Sequence, residues 1–126
     1  MTNNIKKILI VDDDPFILDM YILKSKEQEF DVETARDGRE GLDKVESYQP
    51  DVLLLDIVMP VMDGFDVLGE LKKRRYNHKM KIVLLSNLGQ KSDVEQGMEL
   101  GANDYIIKAH FTPSELVEKV RDLFKK

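Results

Sequence analysis

Short apolar runs recur along the chain, separated by longer stretches with apolar side chains at helical spacing. The runs are Lys7–Val11, Val32–Ala35, Val52–Asp56, Lys81–Ser86 and Tyr105–Lys108. Three of them are nearly unbroken aliphatic: ILIV, VLLL and IVLL. Runs of this kind predict strands buried on both faces of a parallel sheet. The intervening stretches begin with capping residues. Asp14-Pro15 supplies an N-cap and a first-turn proline. Asp37 and Glu40 have capping-box spacing, as do Thr112 and Glu115 with Pro113 between them. The last stretch carries Leu116, Val117, Val120, Leu123 and Phe124 as a stripe of helical period. Residues Lys91 to Leu100 are leaner: Val94, Met98 and Leu100 are the apolar side chains, and Gly97 interrupts them. A helix that buries so little is a candidate for movement.

The order of elements is therefore (βα)5. Alternation of this type implies parallel strands, right-handed crossovers and helices on both faces. The predicted fold class is α/β, a doubly wound flavodoxin-like fold with a five-stranded parallel sheet, for which order 2-1-3-4-5 would make the first and third strands neighbours at the switch point. A chain of 126 residues suits one domain. No repeat, linker or low-complexity stretch divides it, so residues 1–126 are expected to form a single domain with no output domain in this chain.

Composition narrows the function classes. Cysteine is absent, which removes disulfides and thiolate metal sites. No apolar run reaches membrane-spanning length, and Met1 to Lys7 lacks the apolar segment of a signal peptide. A cytoplasmic protein without membrane insertion is expected. The net charge of −5 argues against direct nucleic-acid binding. The basic run Lys72-Lys73-Arg74-Arg75 closes a helical stretch, where cations complement the helix dipole. It reads as a solvated helix end. His78 and His110 are far apart and read as surface residues, not a metal pair.

In open α/β sheets chemistry gathers at the carboxyl ends of the strands, where strand order reverses. Those ends carry Asp12-Asp13, Asp56, Ser86 and Lys108. With order 2-1-3-4-5, Asp12, Asp13 and Asp56 would crowd one cleft. Crowded carboxylates repel unless a cation resolves them. An all-oxygen ligand set suits Mg²⁺, which also binds phosphate oxygens. Zinc is disfavoured, since neither His nor Cys joins the cluster.

These residues resemble the receiver domain of two-component response regulators. The matching stretches are ILIVDDDP (8–15), DVLLLDIVMPVMDG (51–64), KIVLLS (81–86) and GANDYIIK (101–108). The resemblance implies a phosphorylation-activated switch. Asp56 would accept a phosphoryl group from a sensor histidine kinase or phosphotransfer protein. Asp13 and Asp56 would bind Mg²⁺ directly, Asp12 through water, and the Val58 carbonyl would complete the ligands. Lys108 would pair with the phosphoryl group, Ser86 would donate its hydroxyl to it, and Tyr105 would change rotamer as Ser86 moves. The fourth helix, fifth strand and fifth helix would present the altered surface to a downstream protein. The resemblance also implies a monomer or a phosphorylation-dependent homodimer, and no catalysis beyond its own phosphorylation and dephosphorylation.

Several positions depart from the family pattern. Asn87 follows Ser86 where a small residue is usual, Ala109 replaces the usual proline after Lys108, and the loop through Phe111 is one residue longer. Val58 and Leu88 are apolar at positions that influence the hydrolytic water. Either they simply pack against loops, or they leave that water unoriented and lengthen the phosphorylated state. Three other readings fit the sequence less well. A receiver-like module that is never phosphorylated usually lacks one of these site residues, and all are present. An Asp-nucleophile phosphatase needs a second Asp where Val58 stands. A nucleotide- or flavin-binding domain needs a glycine-rich loop after the first strand, and Asp12-Asp13 stand there instead.

Overall fold

The structure is a computed structural model that describes residues 5–76, 80–87 and 91–124. His78 and Leu88 lie outside the described residues. The strands are β1 (Lys7–Val11), β2 (Asp31–Ala35), β3 (Val52–Asp56), β4 (Lys81–Ser86) and β5 (Asp104–Ile107). The helices are α1 (Pro15–Glu27), α2 (Gly38–Tyr48), α3 (Gly64–Lys73), α4 (Lys91–Glu99) and α5 (Pro113–Asp122). All strand pairs are parallel, and the order is β2-β1-β3-β4-β5, as expected.

Alternation along the buried strands divides the core into two layers. Leu9, Val11, Leu53, Leu55, Ile82 and Leu84 face the side covered by α2 and α3. Ile8, Ile10, Val52, Leu54, Val83 and Leu85 face α1 and α5. The three aliphatic runs are thus buried on both faces because each supplies side chains to both layers.

Boundaries differ from expectation by one residue at two strands. β2 starts at Asp31, and β5 runs from Asp104 to Ile107, so Lys108 opens a 3-10 turn (Lys108–His110) and does not close the strand. The Lys108–Ala109 peptide is trans. Caps fall where the sequence placed them. Asp14 accepts from the Phe16 N–H at 2.9 Å, and Thr112 and Glu115 bond reciprocally. Glu40 departs from the expected box: it reaches the Arg36 N–H at 2.9 Å, one residue ahead of the Asp37 cap. A further reciprocal box, Asp63 with Asp66, starts α3 immediately after the loop that follows β3. The basic helix end is paired, with Arg74 on Glu46 and Glu70 and Lys73 on Glu70.

Gly97 is the buried residue of α4, and its lack of a side chain is what seats the helix. A Cβ there would lie 2.0 Å from Leu84 Cδ1. The C-terminal end of α4 is tied down. Gly101 takes φ 111°, and the Ala102 N–H bonds back to the Gly97 carbonyl at 3.1 Å. Asn103 then grips Ile82 through both its side chain and its backbone. The N-terminal half, including Lys91, Ser92, Glu95 and Gln96, is exposed. At the sheet edge, the Asp104 carboxylate accepts from the Tyr105 N–H at 2.8 Å.

Candidate functional site

The pairing of β1 with β3 sets Val11 opposite Leu55, which brings Asp12 and Asp56 side by side at the strand ends. Ligand oxygens of Asp12, Asp13 and Asp56 all lie within 4.8 Å of one another. Asp12 is fully buried and Asp56 is 4% exposed, while Asp13 opens to solvent. Lys108 reaches in from the other end of the sheet. Its Nζ lies 2.8 Å from Asp12 Oδ2 and 3.1 Å from Asp56 Oδ2. The 3-10 turn therefore does not displace the ammonium from the cleft.

Backbone groups fix the carboxylates. The Asp14 N–H donates to Asp12 Oδ1 at 3.0 Å, and the Val58 N–H donates to Asp56. Burial pushes Asp56 up to about 6, against the pull of Lys108 and with help from the Asp12 charge. Burial alone would lower Lys108, but the Asp12 hydrogen bond and the two carboxylate charges outweigh it and raise its pKa. Lys108 is therefore an ammonium at neutral pH. Three carboxylates against one ammonium leave an excess of two negative charges when all are ionised. That excess and an all-oxygen donor set fit a divalent, hard cation.

Ser86 closes β4 and is buried, one register step beyond the residue facing Asp56. Tyr105 sits apart from the acidic cluster, 40% exposed on the edge strand β5. Val58 turns its side chain outward, 73% exposed.

Two residues of this region were not foreseen. Tyr21 of α1 is buried within the electrostatic reach of Lys108, Asp12 and Asp56, and burial pushes its phenol up to about 12. In the sequence it is one more apolar position of a helical stretch. Val61 has φ 72°, and the Met62 N–H bonds to the Pro60 carbonyl at 2.8 Å. An i to i+2 bond with positive φ at the central residue is the strained form of the γ-turn. Nothing in the sequence signals it, because a β-branched residue is among the least expected there.

The sequence profile of the response regulator receiver domain matches residues 8–121. The chain is 36% identical over 120 residues to the DNA-binding dual master transcriptional regulator RpaA of Synechocystis, covering 95% of this chain and 49% of that one. It spans about half the length of the curated relatives it matches. A CheY-like receiver domain from Methanospirillum hungatei superposes with TM-score 0.86 at 32% identity, covering 97% of this chain and 95% of that one. The CheX-CheY-BeF3-Mg complex from Borrelia burgdorferi gives TM-score 0.85 at 27% identity, covering 96% and 90%.

Proposed function

The chain belongs to the response regulator receiver domain family of two-component signalling, and from that premise we propose that Asp56 accepts a phosphoryl group from a phosphohistidine donor. The observation that carries this reading is the convergence of Asp12, Asp13, Asp56 and Lys108 on one cleft. An Asp56 carboxylate oxygen forms the new O–P bond as the P–N bond of the donor breaks. The imidazole nitrogen leaves with the bonding pair, and the product is an acyl phosphate.

Each residue of the cleft has a part. The Val58 N–H holds the Asp56 carboxylate for attack. Lys108 offers its charge to the equatorial phosphoryl oxygens, where negative charge spreads in the transition state. To do so its ammonium exchanges a carboxylate partner for the phosphoryl group. Asp12, Asp13, Asp56 and the Val58 carbonyl would hold Mg²⁺, with Asp12 acting through water. When bound, that ion supplies charge neutralisation that lets an anionic donor approach an anionic nucleophile.

Readout follows from the same group. The Ser86 hydroxyl donates to a phosphoryl oxygen and draws the β4–α4 loop inward. Tyr105 then turns in from its exposed position, and the α4-β5-α5 surface presents the change to a downstream protein. The shift extends only as far as the phosphoryl group binds the two states differently. On this reading the domain is a regulatory module, and its chemistry is confined to its own phosphorylation and dephosphorylation. The exposed Val58 side chain cannot orient water, which favours a long-lived acyl phosphate.

The test is intact-mass measurement after incubation with acetyl phosphate and Mg²⁺. A gain of one phosphoryl group is expected in the parent protein and none in Asp56→Asn. The same gain in that variant would remove Asp56 as the acceptor.

A further inference from the structure

Four described non-glycine residues have positive φ: Glu29, Gln49, Val61 and Arg75. Glu29, Gln49 and Arg75 each stop a helix, at the ends of α1, α2 and α3. Left-handed residues are routine at such stops. Val61 stops nothing. It sits in the turn five residues beyond Asp56, and it is the β-branched member of the four.

The turn is packed closely on both sides. Gly64 lies so close behind β3 that a Cβ would meet the Asp56 carbonyl oxygen at 2.6 Å, and its N–H bonds to the Ile57 carbonyl at 2.7 Å. On the other side Gly38 of α2 abuts Met62, where a Cβ would meet its carbonyl oxygen at 2.3 Å. Glycine or asparagine would take this conformation at little cost. Valine is strained there, and the fold receives nothing in return, because Val61 is 77% exposed. Strain kept without packing, beside a reactive group, points to a use outside the domain.

We propose that the Val61 side chain is touched by the protein that donates the phosphoryl group, and thereby helps decide which donor is accepted. The proposal rests on the reading of Asp56 as phosphoacceptor. Geometry selects a donor over an output target. Asp56 is 4% exposed at the floor of its cleft, so a phosphohistidine that reacts with it brings its own surface down over the cleft mouth. Val61 and Val58, 77% and 73% exposed, stand on the loop after β3, and Phe16, 80% exposed, stands in the first turn of α1 just beyond the end of β1. The matching donor surface is apolar around its histidine. A small donor such as acetyl phosphate needs no such contact.

The test compares the parent chain with Val61→Asn and Val61→Ile. Each is offered acetyl phosphate with Mg²⁺, and separately every autophosphorylated histidine kinase encoded by the source genome. All three proteins should take phosphate from acetyl phosphate at rates within about twofold. Transfer from the parent's preferred kinase should fall by about tenfold or more in Val61→Asn, the loss of one good apolar contact. Val61→Ile should keep the parent rate, and Val61→Asn should unfold at a higher denaturant concentration. Unchanged kinase transfer in Val61→Asn overturns the proposal. So does a matching loss with acetyl phosphate, which would place the effect inside the cleft. Labelling by acetyl phosphate with no transfer from any kinase removes the proposal and leaves Asp56 as acceptor. No labelling of the parent by either donor removes the acceptor reading itself.

Discussion

Asp56→Asn is expected to stabilise the domain, by an amount set by pH. Asp56 titrates at about 6 in the folded protein, chiefly because it is buried. An unfolded aspartate titrates near 3.9. Because the folded pKa is raised, the folded state holds the proton more tightly. The side chain's contribution is therefore fully present below pH ~4 and is lost as pH rises through ~6. A gap of two pKa units at about 1.4 kcal/mol each corresponds to about 3 kcal/mol lost at pH 8. The Asn amide carries no charge and resembles the protonated carboxyl in shape, so it avoids that cost. Its weaker bond to Lys108 returns part of the gain, leaving about 1–3 kcal/mol at pH 8. For 126 residues, with an unfolding entropy near ~2.1 cal/mol/K per residue, the melting temperature rises by about 4–11 °C. Chemical or thermal unfolding in chelating buffer from pH 4 to pH 8 measures this directly. The gap should close toward pH 4. A variant no more stable than the parent at pH 8, or a gap that persists unchanged at pH 4, would refute the reasoning. Saturating Mg²⁺ should raise the parent more than the variant, by up to about 2.7 kcal/mol at a hundredfold excess over its Kd, and so narrow the difference.

Two further outcomes follow from the packing. Lys108→Met leaves buried Asp12 and Asp56 without their cation, which is expected to cost about 3–5 kcal/mol at pH 8. Unfolding titrations should show the deficit shrinking on acidification; a constant deficit would mean lost packing and not lost charge. Gly97→Ala gains helix propensity of about 1 kcal/mol but drives a methyl group into Leu84. A net loss of about 1–3 kcal/mol and faster amide exchange across α4 are expected. Unchanged stability with unchanged exchange would show that Leu84 yields without moving the helix.

Much of the fold was legible because its three central strands, β1, β3 and β4, carry aliphatic side chains on both faces. Together with the helical stretches between them, that pattern points to a sheet covered by helices on both faces. The strand-end carboxylates were legible from their grouping: consecutive acids follow β1 where a turn alone would need only one polar residue, and β3 ends in another, Asp56. What escaped notice depends on distance in space. Gly97 read as a flaw in a lean helix, because the side chain that requires it, Leu84, is a strand away. Glu40 reached Arg36 and not the Asp37 cap because spacing fixes reach but not direction. Val61 was invisible because local propensity opposes the conformation that Gly38 and Gly64 impose from either side. Lys108 closes the apolar run of β5 in sequence but opens a 3-10 turn, and its long stem still delivers the ammonium to the cleft.

The bond from Asp104 to the Tyr105 N–H has a bearing on self-association. β5 is one of the two edge strands, and an edge strand ordinarily offers its free amides as a template for another extended chain. Here a side chain from within the strand occupies one of those amides and sets a negative charge beside it. An incoming strand would have to displace the carboxylate and desolvate it before gaining its first ladder bond. The flank of the sheet can thus stand open beside Tyr105 without seeding fibrils. Loss of the Asp104 carboxylate should show first as turbidity in concentrated solution, before any change in signalling.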